Sequence, residues 1–556
     1  MSVLNDLKNI LLPVRIFLFS NIHIFSDNLI FRFKNFPFFS PPIPPSALFL
    51  IISFIFLLII SSSHFPVISD AWATTYYVDA TNGKDINNGL SPSSPWKTIA
   101  KVNASTFTPG DQILFKRGEV WREQLEVPSP GSSGNPITFG AYGSGENPLI
   151  SGPGKDHCIT ILSKHHITID SINCKYANNE GIDVNSSTYF TIKNLTVSHC
   201  YSDGINIHSD STTRGLVDNC ITYNNGYSLG SDTLTQGAGI ILYDGATGNT
   251  VQNCKSYNNK EDGIGLGGQT GQFCGINNII QYNECYNNGE IGIDVKKGPN
   301  IIRKNILRNN LGTNDNEGHG IVLGWDADQI EITDNEIYSN SFRGISIWGT
   351  GGSHVIRYNK IYNNTLEGIY SEGGNSSQIY YNLIYNNGQY GIFLCDCNTN
   401  NYCTNNCRPS NYRIYNNTIW DNTDYQLISS AHNTTAKNNI LGVWKNRHVS
   451  IAFMGEGIRN TDSDYNNIFG VGSYCRWGNN YVNFIMFKSF SSQDRNSISQ
   501  DPMFIDVQNS NFNLRSASTC IDSGIDVGLS KDLKGNPIPQ GNKIDIGAFE
   551  YIFEYI

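Results

Sequence analysis

The chain has 556 residues and a formal net charge of −10, with 39% hydrophobic residues, only 15% charged residues and 53 glycines. The acidic balance argues against nucleic acid as a partner. The length exceeds one ordinary globular domain, yet a solenoid of stacked repeats can use it as a single body.

Residues 1–73 are expected to be a leader that contains a secretory signal. An apolar block runs from Ala47 to Ile60, interrupted only by Ser53, and Ala71-Trp72-Ala73 has the small-x-small form of a cleavage site. The block is shorter than the roughly 20 residues of a membrane span. We therefore expect a secreted or cell-surface protein with no stable membrane span in its mature chain; a retained N-terminal anchor is the alternative.

Residues 74–130 are expected to form an N-terminal cap and the first strands. Pro95 suits the first turn of a helix, and Trp96, Ile99 and Val102 form a short apolar stripe. Because a solenoid must cover its open end, we predict a capping helix here. The first strands then begin at Gly110-Asp111-Gln112-Ile113.

Residues 131–445 are expected to form the coils, because one small unit recurs there about every 24 residues. The unit is Gly-Ile, a variable residue and then usually another apolar residue, and it begins at Gly181, Gly204, Gly239, Gly263, Gly292, Gly320, Gly344, Gly368 and Gly391. This alternation predicts a strand with Ile and Val inward and the variable residue outward. The Leu-x-x-Leu-x-Leu pattern of leucine-rich horseshoes is missing. The repeat therefore predicts an all-β fold, a right-handed parallel β-helix solenoid.

An asparagine also recurs in each coil, at Asn194, Asn219, Asn253, Asn283, Asn305, Asn335, Asn359, Asn382 and Asn416. A second one often follows, at Asn224, Asn258, Asn310, Asn340, Asn364 and Asn387. Asparagine tolerates left-handed turns, and its amide can pair with the amide of the next coil. The pattern predicts stacked ladders, with Asn335 and Asn359 buried and paired.

Thirteen cysteines in an exported chain favour some disulfides. Stacked buried thiols are expected beside the asparagine positions, at Cys174, Cys220, Cys254 and Cys285. Four more cysteines fall in an insertion after the ninth unit: Cys395, Cys397, Cys403 and Cys407. Two disulfides are favoured over zinc in that insertion, because Cys-x-Cys is a poor zinc pair.

In its cap, its Gly-Asp strand and its coils, the chain resembles secreted proteins of the pectate-lyase-like β-helix superfamily. Residues 446–556 are expected to be the end of the β-helix and a tail. The tail, from Asp501-Pro502-Met503-Phe504 to Asp545-Ile546-Gly547-Ala548-Phe549-Glu550-Tyr551, resembles the C-terminal end of many bacterial surface β-helix proteins. The superfamily includes polysaccharide lyases, glycoside hydrolases, uronate epimerases and adhesins, so the resemblance implies fold and export more than chemistry.

Three motif sets from this superfamily are missing. They are the paired-Asp and Arg-x-Lys signatures of polygalacturonases, the Asp-Pro-His-Asp run of mannuronate epimerases, and the Asp-Gly-Phe…Lys and Asp-Asp-Gly arrangement of the ninth polysaccharide lyase family. A lyase assignment therefore depends on the superfamily resemblance and on one lysine.

The outward strand positions form one face, on which coils lie about 4.8 Å apart. Lys296 is placed between two coils that have glycine at its level, with Tyr243 and Trp348 two coils away on either side. Aromatic rings along a floor without side chains suit a linear sugar polymer. The residues expected to bind the sugar are His208, Tyr243, Trp348, Tyr370 and Glu372. A solvated face of random polar residues is the alternative.

Lys296 is the candidate base for removing a proton beside a uronate carboxylate. Its pKa must fall toward neutrality, and Arg303 is the catalytic partner expected to supply positive charge for that. A group of carboxylates suits Ca²⁺, which takes about six to eight oxygen ligands: Glu261, Asp262, Glu290 and Asp294. Without a metal, Asp294 would raise the pKa of Lys296 and spoil the base. Surface charge pairing is the alternative.

These observations favour an exported, monomeric, Ca²⁺-assisted lyase that cleaves an acidic polysaccharide by β-elimination. A non-catalytic glycan-binding surface or adhesion protein is the first alternative. A glycoside hydrolase is the second, with an acid/base pair of carboxylates around the sixth Gly-Ile unit. The residues considered there are Asp315, Glu317, His319, Trp325, Asp326 and Asp328.

Overall fold

The computed structural model describes residues 73–226, 237–267, 275–312, 318–349, 351–395, 409–443, 449–470 and 474–553. These ranges lie in one compact unit, Trp72–Ile556, and they form a parallel β-helix. The leader and its signal lie outside the described residues. None of the helices within these ranges is long and apolar enough to span a bilayer.

Three long sheets run along the coils, and each strand pairs with the equivalent strand one coil before and one coil after it. Strands are numbered in chain order. Sheet 1 has 15 strands: β1 (Thr75–Val78), β2 (Gln112–Lys116), β5 (Ile137–Tyr142), β8 (Ile167–Asp170), β11 (Thr191–Lys193), β14 (Leu216–Asp218), β17 (Thr250–Gln252), β20 (Ile279–Gln281), β23 (Ile301–Arg303), β26 (Glu331–Thr333), β29 (Val355–Arg357), β32 (Gln378–Tyr380), β35 (Arg413–Tyr415), β38 (Thr435–Lys437) and β41 (Asp462–Asp464).

Sheet 2 also has 15 strands, and only its last pair, β43 and β44, is antiparallel among its described strands. Its strands are β4 (Leu125–Glu126), β7 (Ile159–Leu162), β10 (Ile182–Asn185), β13 (Ile205–His208), β16 (Ile240–Leu242), β19 (Ile264–Leu266), β22 (Ile293–Lys297), β25 (Ile321–Asp326), β28 (Ile345–Ile347), β31 (Ile369–Ser371), β34 (Tyr390–Leu394), β37 (Tyr425–Ser429), β40 (Val449–Phe453), β43 (Tyr474–Trp477) and β44 (Asn480–Asn483).

Sheet 3 has 14 strands, and a separate antiparallel pair lies in the tail. Sheet 3 contains β3 (Val120–Trp121), β6 (Leu149–Ser151), β9 (Asn173–Lys175), β12 (Thr196–Ser198), β15 (Ile221–Tyr223), β18 (Lys255–Tyr257), β21 (Glu284–Tyr286), β24 (Ile306–Arg308), β27 (Glu336–Tyr338), β30 (Lys360–Tyr362), β33 (Leu383–Tyr385), β36 (Thr418–Trp420), β39 (Ile440–Val443) and β42 (Asn467–Gly470). The tail pair is β45 (Phe504–Asp506) and β46 (Asn511–Leu514).

All nine Gly-Ile units lie in sheet 2, where they form β10, β13, β16, β19, β22, β25, β28, β31 and β34. Their register aligns each isoleucine with the next, as Ile182 pairs with Ile205, and these isoleucines are completely buried inside the coil. The preceding glycine is required by packing. A Cβ at Gly239 would lie 1.9 Å from Oγ of Ser256. The predicted strands and their inward residues are confirmed.

Buried asparagine ladders join the coils, as predicted. Asn335 is 2% exposed and Asn359 is fully buried. Nδ2 of Asn335 donates to Oδ1 of Asn359 over 3.0 Å, and Asn359 donates in the same way to Asn382. This ladder connects Asn283, Asn305, Asn335, Asn359, Asn382, Asn417, Asn439 and Asn466.

Part of the predicted ladder was wrong by one residue. Asn194, Asn219, Asn253 and Asn416 have positive φ angles and precede the inward-facing position. In the second ladder Asn225 and Asn259 pair with each other, whereas Asn224 and Asn258 are the left-handed residues before them. The physical reason is that asparagine serves both as the turn residue and as the ladder residue.

The predicted stacked thiols are confirmed: Cys174, Cys220, Cys254 and Cys285 are buried and free. The backbone N–H of Cys220 donates to the sulfur of Cys254 over 3.5 Å. The residues Cys397, Cys403 and Cys407 of the insertion lie outside the described residues, so its disulfides stay a prediction.

Two α-helices lie in the described ranges, α1 (Ile99–Asn103) and α2 (Phe484–Ser491). A 3₁₀ turn spans Gly455–Ile458. Thr98 caps the N-terminus of α1, since its side chain accepts the N–H of Lys101, and the helix buries Ile99 and Val102. Its role as a cap stays a prediction. The α2 helix packs against β43 and buries two phenylalanines.

The tail folds back onto sheet 3. Phe504, Phe512, Ile546 and Ala548 pack in one apolar cluster with Trp420 and its neighbours on that sheet. Nδ2 of Asn416 donates to the backbone carbonyl of Asp545 over 3.0 Å. Asn416 therefore binds the tail instead of extending the ladder.

Candidate functional site

The outward side of sheet 2 carries the candidate site, and we call it the sheet 2 face. Strands β16, β19, β22, β25 and β28 are consecutive in this sheet. They place Tyr243, Lys296 and Trp348 on the sheet 2 face, since Tyr243 and Trp348 directly follow β16 and β28. The three residues thus lie in or directly after strands of one sheet, and their roles in binding or catalysis stay predictions.

A β-bulge lies beside Lys296. The pairing of β22 with β25 is regular up to Val295 and Leu323, and it resumes with Lys297 opposite Asp326. The strand β25 therefore has one extra residue opposite Lys296, and such bulges redirect side chains at functional sites. A Cβ at Gly324, in this bulge, would contact nothing within 4 Å. The surface next to Lys296 therefore has open space above Gly324.

Lys296 forms an ion pair with Asp294 on the same strand. Its Nζ lies 2.9 Å from Oδ2 of Asp294, and the two side chains are 22% and 5% exposed. The other oxygen of Asp294, Oδ1, is buried and has no hydrogen-bond donor among the described residues. The ion pair favours the protonated lysine, so it counts against Lys296 as a base in this arrangement.

Carboxylates crowd around this ion pair. Burial, and after it the charges of Asp294 and Glu290, raise the pKa of Asp262 well above its ordinary value. Burial also raises the pKa of Asp294, while the charge of Lys296 opposes that rise. The pKa of Glu261 is raised mainly by burial. Asp262 is therefore the carboxyl group that holds its proton most strongly, and Asp294 is the one with a cation beside it.

Oδ1 of Asp262 accepts the backbone N–H of Ile291 over 3.2 Å. Its Oδ2 lies 3.8 Å from where a Cβ of Gly265 would be, and Gly265 is the strand partner of Asp294. These contacts place the two carboxyl groups on adjacent coils of the sheet 2 face.

The predicted calcium ligands Glu261, Asp262, Glu290 and Asp294 do lie in this region. In the described ranges, however, no three His, Cys, Asp or Glu side chains converge in a way that could hold a metal ion. The calcium site therefore stays a prediction, and the hydrolytic reaction proposed below does not depend on it.

Arg303 does not lie on the sheet 2 face. It ends β23 in sheet 1, where its Nε donates to Oε1 of Gln281 over 2.8 Å. The chain turns between Lys297 and Ile301, so a residue close in sequence lies on another side of the coil. The expected catalytic role of Arg303 beside Lys296 is not supported by this position.

The residues expected to bind sugar differ in accessibility. The rings of His208 and Tyr243 stack with centroids 5.2 Å apart and an interplanar angle of 6°. Trp348 is half-buried and meets the buried His319 edge to face. Tyr370 is only 5% exposed and lies under the guanidinium of Arg343, so it offers no free ring face. Glu372 is half-buried beside it.

The region around the sixth Gly-Ile unit does not assemble an acid/base pair in the described residues. Asp328 accepts hydrogen bonds from the backbone N–H of Gly352 and from Nε2 of Gln329. Asp326 is exposed, and His319 is buried with its pKa well below the ordinary value because of burial and the charge of Arg343. Asp315, Glu317 and the side chain of Trp325 lie outside the described residues.

A second polar group on the sheet 2 face was missed by the sequence analysis. It contains Glu180, Asp183, Asp203 and Asn206, and we call it the acidic step. Oδ1 of Asp183 accepts from Nε2 of His208 over 3.0 Å, and Asp203 accepts the backbone N–H of Ala238 over 2.8 Å. The available signal was the carboxylate directly before the repeated glycine, at Glu180, Asp203 and Asp262.

Several known proteins are similar to this chain. The uncharacterized protein YwoF of Bacillus subtilis strain 168 is 26% identical over 421 residues, which cover 65% of this chain and 86% of YwoF. The lacto-N-biosidase of Bifidobacterium longum subsp. longum is 40% identical over 87 residues, which cover 15% of this chain and 5% of that enzyme. The chain thus spans a small part of the second relative.

Among solved structures, the crystal structure of pectate lyase Pel9A aligns with a TM-score of 0.37 and 17% identity, over 86% of this chain and 96% of that one. The family model described as the Pel9A-like, right-handed β-helix region matches residues 76–401. Because this match covers more than half of the chain, the protein belongs to the Pel9A-like right-handed β-helix family.

Proposed function

We propose that this protein is an exported carbohydrate-active enzyme that hydrolyses glycosidic bonds of a polysaccharide lying over the sheet 2 face. The observation that carries the proposal is the arrangement of Asp262, Asp294 and Lys296. It combines one carboxyl group that keeps its proton with a second that is paired to a cation. Acid/base cleavage of a glycosidic bond requires one protonated and one ionised carboxyl group, and the charge of Lys296 opposes the rise that burial causes in the pKa of Asp294. The lacto-N-biosidase among the similar chains supports carbohydrate as the substrate class.

In the proposed reaction Asp262 is the general acid. Its protonated carboxyl group donates the proton to the glycosidic oxygen as the bond between this oxygen and the anomeric carbon breaks. A water molecule forms the new bond to the anomeric carbon, and Oδ1 of Asp294 takes the proton that this water loses. The proton then returns from Asp294 to Asp262 through solvent, which restores the starting state.

The burial of Asp294 is compatible with the role of a base. The residue is 3% exposed, but only water has to reach it, while the sugar contacts Asp262 and Lys296 above. The ion pair with Lys296 favours the ionised form of Asp294 against the effect of burial, and Oδ1 of Asp294 accepts no hydrogen bond from the described residues. Lys296 is therefore a positioning residue for Asp294 in this proposal.

β-Elimination from an acidic polysaccharide is the second candidate, because Lys296 faces outward beside the open floor at Gly324. It requires Lys296 to lose its proton, and a Ca²⁺ ion bound by Asp294 would help by drawing this carboxylate away. The carboxylates would have to rearrange to hold that ion. Export and a monomeric state are likewise part of the proposal.

The test uses the mature chain on a panel of neutral, acidic and amino-sugar polysaccharides. New reducing ends without ultraviolet absorbance of an unsaturated uronate are expected, because hydrolysis leaves no double bond. Asp262→Asn should lower kcat by about 100-fold or more, as for loss of a general acid. The matched control is Asp334→Asn, an exposed carboxylate on sheet 1, which should keep full activity. Unsaturated products that require Ca²⁺ would replace the proposal with the lyase, and full activity of Asp262→Asn would overturn it.

A further inference from the structure

The acidic step contains an acceptor for which the described residues supply no donor. Asn206 is 2% exposed, yet its Oδ1 has no hydrogen-bond donor among the described residues. Its Nδ2 points to Oδ1 of Asp183 at 3.5 Å and also faces the Tyr243 hydroxyl. Reversing the amide would place its oxygen against a carboxylate, so the present orientation is favoured. A buried acceptor of this kind calls for a donor beyond the described residues, which a ligand on this face can supply.

Negative charge exceeds positive charge around this acceptor. Asp183 is the strand partner of Asn206, and Asp203 lies before the same strand. Burial, together with the charges of Glu180 and Glu261, raises the pKa of Asp203 to about 8. Asp203 is therefore protonated at neutral pH, and the carboxylates of Asp183 and Glu180 are the groups that would repel an anionic sugar and attract a cationic one.

The positive groups that face the acidic step are already engaged. Nδ1 of His157 lies 3.1 Å from Oε2 of Glu180, and His208 is bonded to Asp183. The charges of Lys260 and Lys296 oppose the rise in the pKa of Glu261, which lies farther along the face. These contacts pair the carboxylates of Glu180 and Asp183 with histidines, and none of the described residues donates to Oδ1 of Asn206.

The acidic step and the Asp262 group belong to one continuous face. The outward positions between them are Ile241 and Tyr243 on the coil of β16, and Gly265 and Gly267 on the coil of β19. The two groups are therefore separated by about three coils, or roughly 14 Å at the usual strand spacing. A glycan that extends over Asp262 along the sheet 2 face would reach the acidic step a few sugar units away.

We propose that the acidic step is a subsite for an amino sugar, so that the enzyme acts on a glycan with free amino groups. The ammonium group would donate one hydrogen bond to Oδ1 of Asn206 and would lie against the carboxylate of Asp183. The ring of Tyr243 would form the wall of the subsite. This inference deepens the proposed function and depends on it for the position of the chain over Asp262.

Binding is measured by calorimetry on the uncleaving Asp262→Asn variant. The probes are three oligosaccharides of equal length: a β-linked glucosamine oligomer, its fully N-acetylated form and an oligouronate. The glucosamine oligomer should bind most tightly, and salt should weaken its binding. Asp183→Asn should weaken it by about 10- to 100-fold, as for loss of a charged hydrogen bond, and should leave the N-acetylated form unchanged. Equal or tighter binding of the oligouronate or the N-acetylated form would overturn the proposal.

Two further variants separate binding from folding. Asn206→Leu removes the unpaired acceptor at similar volume, so it should weaken glucosamine binding while the melting temperature is kept or raised. Asp210→Asn, an exposed carboxylate just after β13, is the matched control and should bind like the parent. Unchanged binding in Asn206→Leu would overturn the subsite. If the subsite fails while Asp262→Asn still abolishes cleavage of another glycan, the proposed function stands without it.

Discussion

Asn359→Asp tests the ladder, because the structure gives every partner that the change would disturb. Nδ2 of Asn359 donates to the carbonyls of Ile332 and Arg357 at 2.9 Å and to Oδ1 of Asn382 at 3.0 Å. Its Oδ1 accepts two N–H groups of Asn335. The amide supplies two N–H hydrogens and a protonated aspartate only one O–H, so one buried hydrogen bond is lost. At about 1–3 kcal/mol for a buried acceptor left unpaired, the free energy of unfolding should fall by about 1–3 kcal/mol.

The assay is urea unfolding followed by far-ultraviolet circular dichroism, with the unfolding slope checked for any change. Asn363→Asp is the control: Asn363 is exposed and adjoins the second ladder without belonging to it. It should change the free energy of unfolding by no more than about 0.5 kcal/mol. An Asn359→Asp protein as stable as this control would refute the reasoning that the ladder amides hold the coils together.

Four further outcomes are expected. Trp348→Ala should raise KM with little change in kcat, since a lost stacking surface weakens ground state and transition state alike; an unchanged KM would contradict its role. Lys296→Met should move the acidic limb of the pH–rate profile to higher pH, because the pKa of Asp294 rises without its cation; a limb that stays in place would exclude this role. Arg303→Ala should leave kcat/KM within about twofold of the parent, as Arg303 lies on sheet 1, and a larger loss would show that its position was misjudged. The pKa of Glu550 is raised from 4.5 to about 7, mainly by burial, so its contribution to stability is lost as pH rises through this range. Glu550→Gln should flatten that part of the plot of melting temperature against pH. An unaltered plot would count against this role of Glu550.

The fold could be predicted because the repeat is carried by many independent residues. Each Gly-Ile unit reports the same inward and outward pattern, so one irregular coil does not obscure the rest. The exact ladder residues were harder, since Asn416 and Asn417 are identical in type and adjacent. The structure distinguishes them, because Asn416 binds the tail whereas Asn417 pairs with Asn439 in the ladder.

The candidate site was predictable in its location and less so in its chemistry. Reading alternate residues placed Lys296, Tyr243 and Trp348 on one face, as the structure does. The ion pair of Lys296 with Asp294 follows from side-chain geometry on one strand, and the bulge beside it follows from one extra residue in β25. Neither the ion pair nor the bulge changes the periodicity of the sequence. Arg303 is excluded from the sheet 2 face because the coil turns before it. The spacing of residues along the chain does not reveal that turn.

The return of the tail onto sheet 3 has a mechanical consequence. Ile546 and Ala548 share one apolar cluster with Leu383, Trp420 and Ile440, which belong to three successive coils. A pull on the C-terminus would load these coils together, so they would rupture as one block and not peel away singly. Force applied at the C-terminal end should therefore meet a high first barrier, and coils beyond the block should then release in smaller steps.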